Sequence, residues 1–121
     1  MRPALQVHGP LSRGTFVVVV LVSLAVLFAP ASDVPSAPPG VDKIVHSALF
    51  AALALSGRWA GIGRGVLGTL LVLYAAVSEV LQGLTPLDRS ASVLDWLADV
   101  AGLLLGLSLW GAVARRRDSA R

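Results

Sequence analysis

Four apolar runs, separated by short polar breaks, dominate the chain. The first covers about 15–30 and is bracketed by Arg13 and Pro30. The second covers about 41–57 and closes at Arg58 and Trp59. The third covers about 65–84, after Arg64, and Pro86 ends it. The fourth covers about 92–113 and ends near Trp110 and the run Arg115-Arg116-Arg117. Between the first two runs lies a Pro/Ser-rich stretch, Pro30 to Gly40, with the composition of an exposed loop. No run alternates with a period of two, so strands of a spanning barrel are not expected. A spanning helix needs roughly 20 apolar residues to cross about 30 Å of hydrocarbon. Runs three and four meet that length, and runs one and two lie near its lower limit. The pattern predicts an all-α integral membrane bundle of four transmembrane helices, with 1–121 as a single membrane domain.

Composition reinforces this. Of 121 residues, 55% are hydrophobic and only 14% charged, with mean hydropathy +0.77. A soluble domain is about 45–50% apolar and about a quarter charged. Most charges here lie between the apolar runs, as hydrocarbon demands. The excess of basic residues does not point to nucleic acid, because they sit at the ends of apolar runs and are not interleaved along a polar face. The absence of cysteine excludes disulfides, thiolate chemistry and Cys-based zinc sites. Trp59, at the end of the second run, suits an interfacial anchor.

The basic residues also orient the chain. Arg2 and Arg13, Arg58 and Arg64, and Arg115, Arg116, Arg117 and Arg121 all fall on one side. Only Lys43 and Arg89 fall on the other. By the positive-inside rule both termini are cytoplasmic and the first and third loops face outward. The first run has a second reading. Arg2, Arg13, a short apolar core and Ala29-Pro30-Ala31 fit a signal peptide with an A-x-A cleavage site. Three spans would then remain, with their orientation unchanged.

With this orientation the unusual polar residues collect at one membrane face. Asp42, Lys43 and His46 open the second helix, and Glu79 and Gln82 close the third. Arg89 lies in the third loop, and Asp95 and Asp99 near the start of the fourth helix. Asp42 and His46 are spaced to share a helix face, as are Glu79 and Gln82. Asp95, Asp99, Gly102 and Gly106 form one stripe, and Gly102-x-x-x-Gly106 lets another backbone approach closely. Ionisable side chains within spans face the protein interior or a wet cavity. Counting Asp88 as well, and leaving aside Asp33 in the Pro-rich loop, this face holds three more acids than bases. Such an excess is relieved by protonation of carboxylates, by a charged His46, or by a bound cation or cationic ligand. Structural roles compete for several of these residues. Asp42 suits a helix N-terminus, and Ser92-x-x-Asp95 fits a capping box. Lys43 and Arg89 fit snorkelling surface charges. Asp99 lies too deep for capping, but fits a buried hydrogen-bond partner for another helix. Gly102 and Gly106 read as packing residues.

Three pieces recur in order: Asp42-Lys43-x-x-His46-x-x-x-Phe50, Glu79-x-x-Gln82, and Arg89-x-x-Ser92-x-x-Asp95-x-x-Ala98-Asp99-x-x-Gly102-x-x-x-Gly106. In these the chain resembles the VanZ-like family of bacterial membrane proteins, over about 42–110. Where that family usually has Asn, this chain has Asp99, which adds a potential negative charge. The resemblance implies a multi-pass protein of the bacterial cytoplasmic membrane, in a family whose namesake is linked to resistance to the glycopeptide teicoplanin.

Three functional readings follow. In the first, a non-enzymatic protein uses an outward polar pocket to bind a head group or other envelope component. Lys43 and Arg89 would engage an anionic group, and Glu79, Asp95 and Asp99 a cation or the basic pair. In the second, an intramembrane enzyme acts on a lipid-linked substrate. His46 with Glu79, Asp95 or Asp99 supplies the residue types for acid/base work or a metal site, although no HExxH or similar ligand motif is present. In the third, the polar residues only hold helices together in a structural or assembly factor. The expected surroundings are the lipid bilayer, with no nucleic-acid partner and no cofactor.

Overall fold

A computed structural model describes residues 9–28, 40–84 and 93–119. Four helices follow in order: α1 (Pro10–Leu27), α2 (Val41–Trp59), α3 (Arg64–Leu84) and α4 (Val93–Ser119). The described residues contain no strand. The Ala29-Pro30-Ala31 sequence, most of the Pro-rich stretch, Arg89 and Ser92 lie outside the described residues, as does the side chain of Asp42.

The helix ends follow local chemistry. α1 begins at Pro10, ahead of the apolar run, because proline is preorganised for the first helical position. Gly40, not Asp42, occupies the N-cap of α2, at φ 91. α2 ends in a Schellman motif. The Ile62 amide donates to the Gly57 carbonyl at 3.0 Å and the Gly61 amide to the Arg58 carbonyl at 3.0 Å. Gly61 takes the left-handed conformation this turn requires, at φ 99. The Arg58 guanidinium then donates to the Ile62 carbonyl at 2.8 Å, which fixes the connection to α3. α4 runs to Ser119, beyond the apolar run, because the Arg115-Arg116-Arg117 segment is itself a good helix former.

Burial is inverted relative to a protein in water. Among the described residues eight apolar side chains are buried, Phe50, Leu53 and Leu103 among them. An equal number of polar ones is buried: Ser12, Ser23, His46, Ser56, Ser78, Glu79, Gln82 and Asp99. Large apolar side chains instead cover the outside, including Leu21, Val66, Leu70, Leu73, Val77 and Leu104. This arrangement suits lipid as solvent. α1, α3 and α4 are each long and apolar enough to cross a membrane. α2 is not in that group, since Asp42, Lys43 and Arg58 lie within its 19 residues.

The closest packing is between α2 and α4. Gly102 faces the backbone of Ser47, and Gly106 that of Ala51, so the two glycines admit α2 against α4. Several hydroxyls in the apolar segments are satisfied within their own helix, as where Ser23 Oγ donates to the Val20 carbonyl at 2.7 Å. α1 is tied to α3 by a second contact of that hydroxyl, 2.8 Å from the Tyr74 phenol oxygen. The Tyr74 ring lies 5.7 Å from that of Phe50 on α2. Tyr74→Phe should therefore keep the ring contact, lose the hydrogen bond and cost about 0.6 kcal/mol, the average for such bonds between membrane helices. Detergent-induced unfolding followed by circular dichroism measures this. A cost near zero would show that Ser23 is satisfied by Val20 alone.

Candidate functional site

The polar residues meet at the end of the bundle where α2 and α4 begin and α3 finishes. Antiparallel connection puts these helix ends at one level, and each helix contributes a residue at the rotation that faces its neighbours. His46 comes from the second turn of α2, Glu79 from near the end of α3, and Asp99 from the second turn of α4. All three are buried, at 1%, 5% and 0% exposure.

His46 Nδ1 lies 2.8 Å from Asp99 Oδ1, a hydrogen bond within the bundle. With Asp99 as a carboxylate, Nδ1 carries the hydrogen and donates it, which fixes the ring orientation and leaves Nε2 as the basic nitrogen. Glu79 Oε1 lies 4.0 Å from the same Nδ1, an ion-pair distance if His46 is protonated. Asp95, one turn before Asp99, is turned toward the end of the bundle. Its Oδ1 lies 3.2 Å from Lys43 Nζ, and the lysine side chain is 44% exposed. Lys43 is thus oriented by a carboxylate and stands at the rim, while the His46–Asp99–Glu79 group lies inside.

Gln82 has a different task. Its amide nitrogen donates to the carbonyl of Leu27, one of the last carbonyls of α1, which lack a partner in their own helix. Gln82 is buried and joins the end of α1 to the end of α3. Gly102 and Gly106 lie further along α4 and set its distance from α2.

The chemistry on offer is of two kinds. The imidazole held by a carboxylate, with a second carboxylate beside it, can exchange a proton in a dry environment. The same side chains can also hold a metal. His46, Glu79 and Asp99 each offer one ligand atom, and these atoms lie within 4.8 Å of one another. A histidine with two carboxylates is a donor set that hard or borderline divalent ions accept.

The sequence spacing gives no sign of two features. One is the assignment of Gln82 to an α1 carbonyl. The other is the Ser23–Tyr74 contact, whose members are ordinary residues in apolar runs. With its inverted burial and three membrane-length helices, the chain belongs to the class of multi-pass membrane proteins. Comparison with family models, with curated proteins and with solved structures finds no match.

Proposed function

We propose that the chain is a VanZ-like membrane protein whose acid–histidine group forms the base of a binding site for a polar head group or other cell-envelope component. The single observation that carries this reading is the burial of three ionisable side chains from three helices at one end of the bundle. Placing such groups in a membrane interior is expensive, and where it occurs it generally marks a functional site. Helix packing alone does not require them, since small residues achieve it between α2 and α4. In this reading all four helices span. The 19 residues of α2 extend about 28 Å at 1.5 Å per residue, close to the hydrocarbon thickness. Both termini are cytoplasmic by the distribution of arginines, and the acid–histidine end faces outward. Lys43, held by Asp95, stands at the rim as the contact for an anionic group. The resemblance adds the bacterial cytoplasmic membrane and teicoplanin-type glycopeptide resistance as the expected setting.

The test is expression in a glycopeptide-sensitive bacterium, with the inhibitory concentration of teicoplanin and the membrane level of the protein both measured. Expression should raise the inhibitory concentration. Glu79→Gln, which removes the ionisable group and keeps the shape, should return it to baseline with the protein still present in the membrane. Full protection by Glu79→Gln would overturn the binding role of the cluster.

The His46–Asp99 hydrogen bond at 2.8 Å favours a second reading, an intramembrane acid/base enzyme on a lipid-linked substrate. Turnover of an envelope lipid by the purified protein, lost in His46→Ala, would select it over the binding reading.

A further inference from the structure

The end of the bundle opposite the acid–histidine group carries a second feature. α1 and α4 both pack on α2 and leave a partly open cleft of about 560 Å³ between them. It is lined by Thr15 and Val19 of α1, Ala52 and Trp59 of α2, and Trp110 and Val113 of α4. Small residues on α2 create the space, and the two tryptophans border it. The hydroxyls in its wall are already spent on their own helices. Thr15 Oγ1 donates to the Leu11 carbonyl at 2.8 Å, and Ser56 Oγ to the Ala52 carbonyl at 2.7 Å. The wall is therefore effectively hydrocarbon, with one exception. Trp59 Nε1 is buried and has no hydrogen-bond partner among the described residues. A buried N–H left in this state carries a desolvation penalty that an acceptor would remove.

Charge says what kind of molecule brings that acceptor. Arg13 stands two residues before Thr15, Arg58 adjoins Trp59, and Arg116 follows Val113 by one turn. Arg64 and Arg115 lie at the same level. Arg13, Arg64, Arg115 and Arg116 are exposed. In the sequence this end holds one acid, Asp118, against those arginines; Glu79, Asp95 and Asp99 all belong to the other end. A cleft with hydrocarbon walls, bordered by Trp59 and lying at the basic end of a membrane bundle, is complementary to one class of molecule present in membranes.

We propose that this cleft binds an anionic phospholipid. One acyl chain lies between α1 and α4 against Ala52 and Val19. The phosphate sits among the arginines at the mouth, and Trp59 Nε1–H donates to an ester or phosphate oxygen. This site depends only on the membrane location of the bundle, and is independent of what the acid–histidine end binds.

The test uses the full chain purified in a mild non-ionic detergent, with bound lipid counted by native mass spectrometry. Phosphatidylglycerol and phosphatidylcholine with identical acyl chains are added at equal concentration. One phosphatidylglycerol per chain should be retained, at about tenfold or more over phosphatidylcholine. The double variant Arg115→Gln, Arg116→Gln should remove that preference. Ala52→Phe fills the cleft and should abolish retention of both lipids. Trp59→Phe keeps the ring and removes only the N–H, so it should weaken retention of phosphatidylglycerol even if Ala52→Phe fails to fold. Equal retention of the two lipids would overturn the proposal. So would unchanged phosphatidylglycerol retention in Trp59→Phe, or release of a second copy of the chain by Ala52→Phe, which would make the cleft a protein interface.

Discussion

Gly102→Ala is expected to force α2 and α4 apart and to remove a large share of the bundle's stability. A Cβ built on Gly102 would lie 2.0 Å from the Ser47 carbonyl oxygen and 2.8 Å from its Cα. These are backbone atoms, which no rotamer change can move aside. Gly106, one turn on, is similarly closed: its Cβ would meet the Ala51 carbonyl oxygen at 2.6 Å and Ala54 Cβ at 2.8 Å. In lipid there is no hydrophobic force to hold the helices together once they separate, because packing and polar contacts supply the association. Overpacking in a soluble core costs about 1–3 kcal/mol, and a clash with backbone belongs at or above the upper end of that range. Separation would also pull His46 on α2 away from Asp99 on α4, so the polar group would fail with the packing. Gly68→Ala provides the control. Its Cβ would rest 3.6 Å from Leu107 Cδ1, an ordinary contact, and the change should be within about 0.5 kcal/mol of neutral. Unfolding of both variants in mixed micelles decides the matter. Equal stability of Gly102→Ala and Gly68→Ala would mean that α2 and α4 are not in contact through the glycine stripe.

That stripe was legible in the sequence because it depends only on helical spacing. The same is true of the collection of polar residues at one end, which follows from antiparallel connection of four apolar segments. What spacing does not contain is the rotation of each helix about its axis, and rotation chooses the partners. Asp95 and Asp99 stand on one face in the sequence. In the bundle Asp95 goes to Lys43 and Asp99 to His46, because one turn of rise separates the rim from the interior. Gln82 reads as a member of the polar cluster alongside Glu79, yet it is spent on the Leu27 carbonyl. That demand comes from the end of α1, a backbone requirement that leaves no mark on side-chain pattern. The apolar runs do not mark the helix ends, for a related reason. The apolar runs locate the hydrocarbon, whereas α1 starts at Pro10 and α4 continues through the arginines to Ser119. A helix is ended by caps and breakers, not by loss of hydrophobicity.

Asp99→Ala should be the most damaging change within the polar group, and Asp99→Asn should separate two reasons for it. Asp99 is fully buried and its Oδ1 is 2.8 Å from His46 Nδ1. Alanine removes the acceptor and leaves a buried imidazole without it. Loss of one partner costs about 1–3 kcal/mol if the pair is a neutral hydrogen bond, and about 3–5 kcal/mol if it is an ion pair, since a buried charge is then stranded. Asparagine keeps an oxygen where Oδ1 stands and removes the charge. Asp99→Asn should therefore retain more than half of what Asp99→Ala loses if His46 is neutral, and little of it if His46 is protonated by the carboxylates around it. A double-mutant cycle with His46→Ala gives the pair's coupling directly. The two alanine changes should be far from additive, with a coupling of at least about 1 kcal/mol. Additive losses would mean that His46 and Asp99 do not depend on each other, and would remove the basis for treating them as one site. If the coupling is present and Asp99→Asn preserves stability but not ligand binding in the proposed site, the negative charge of Asp99 serves the ligand and not the fold.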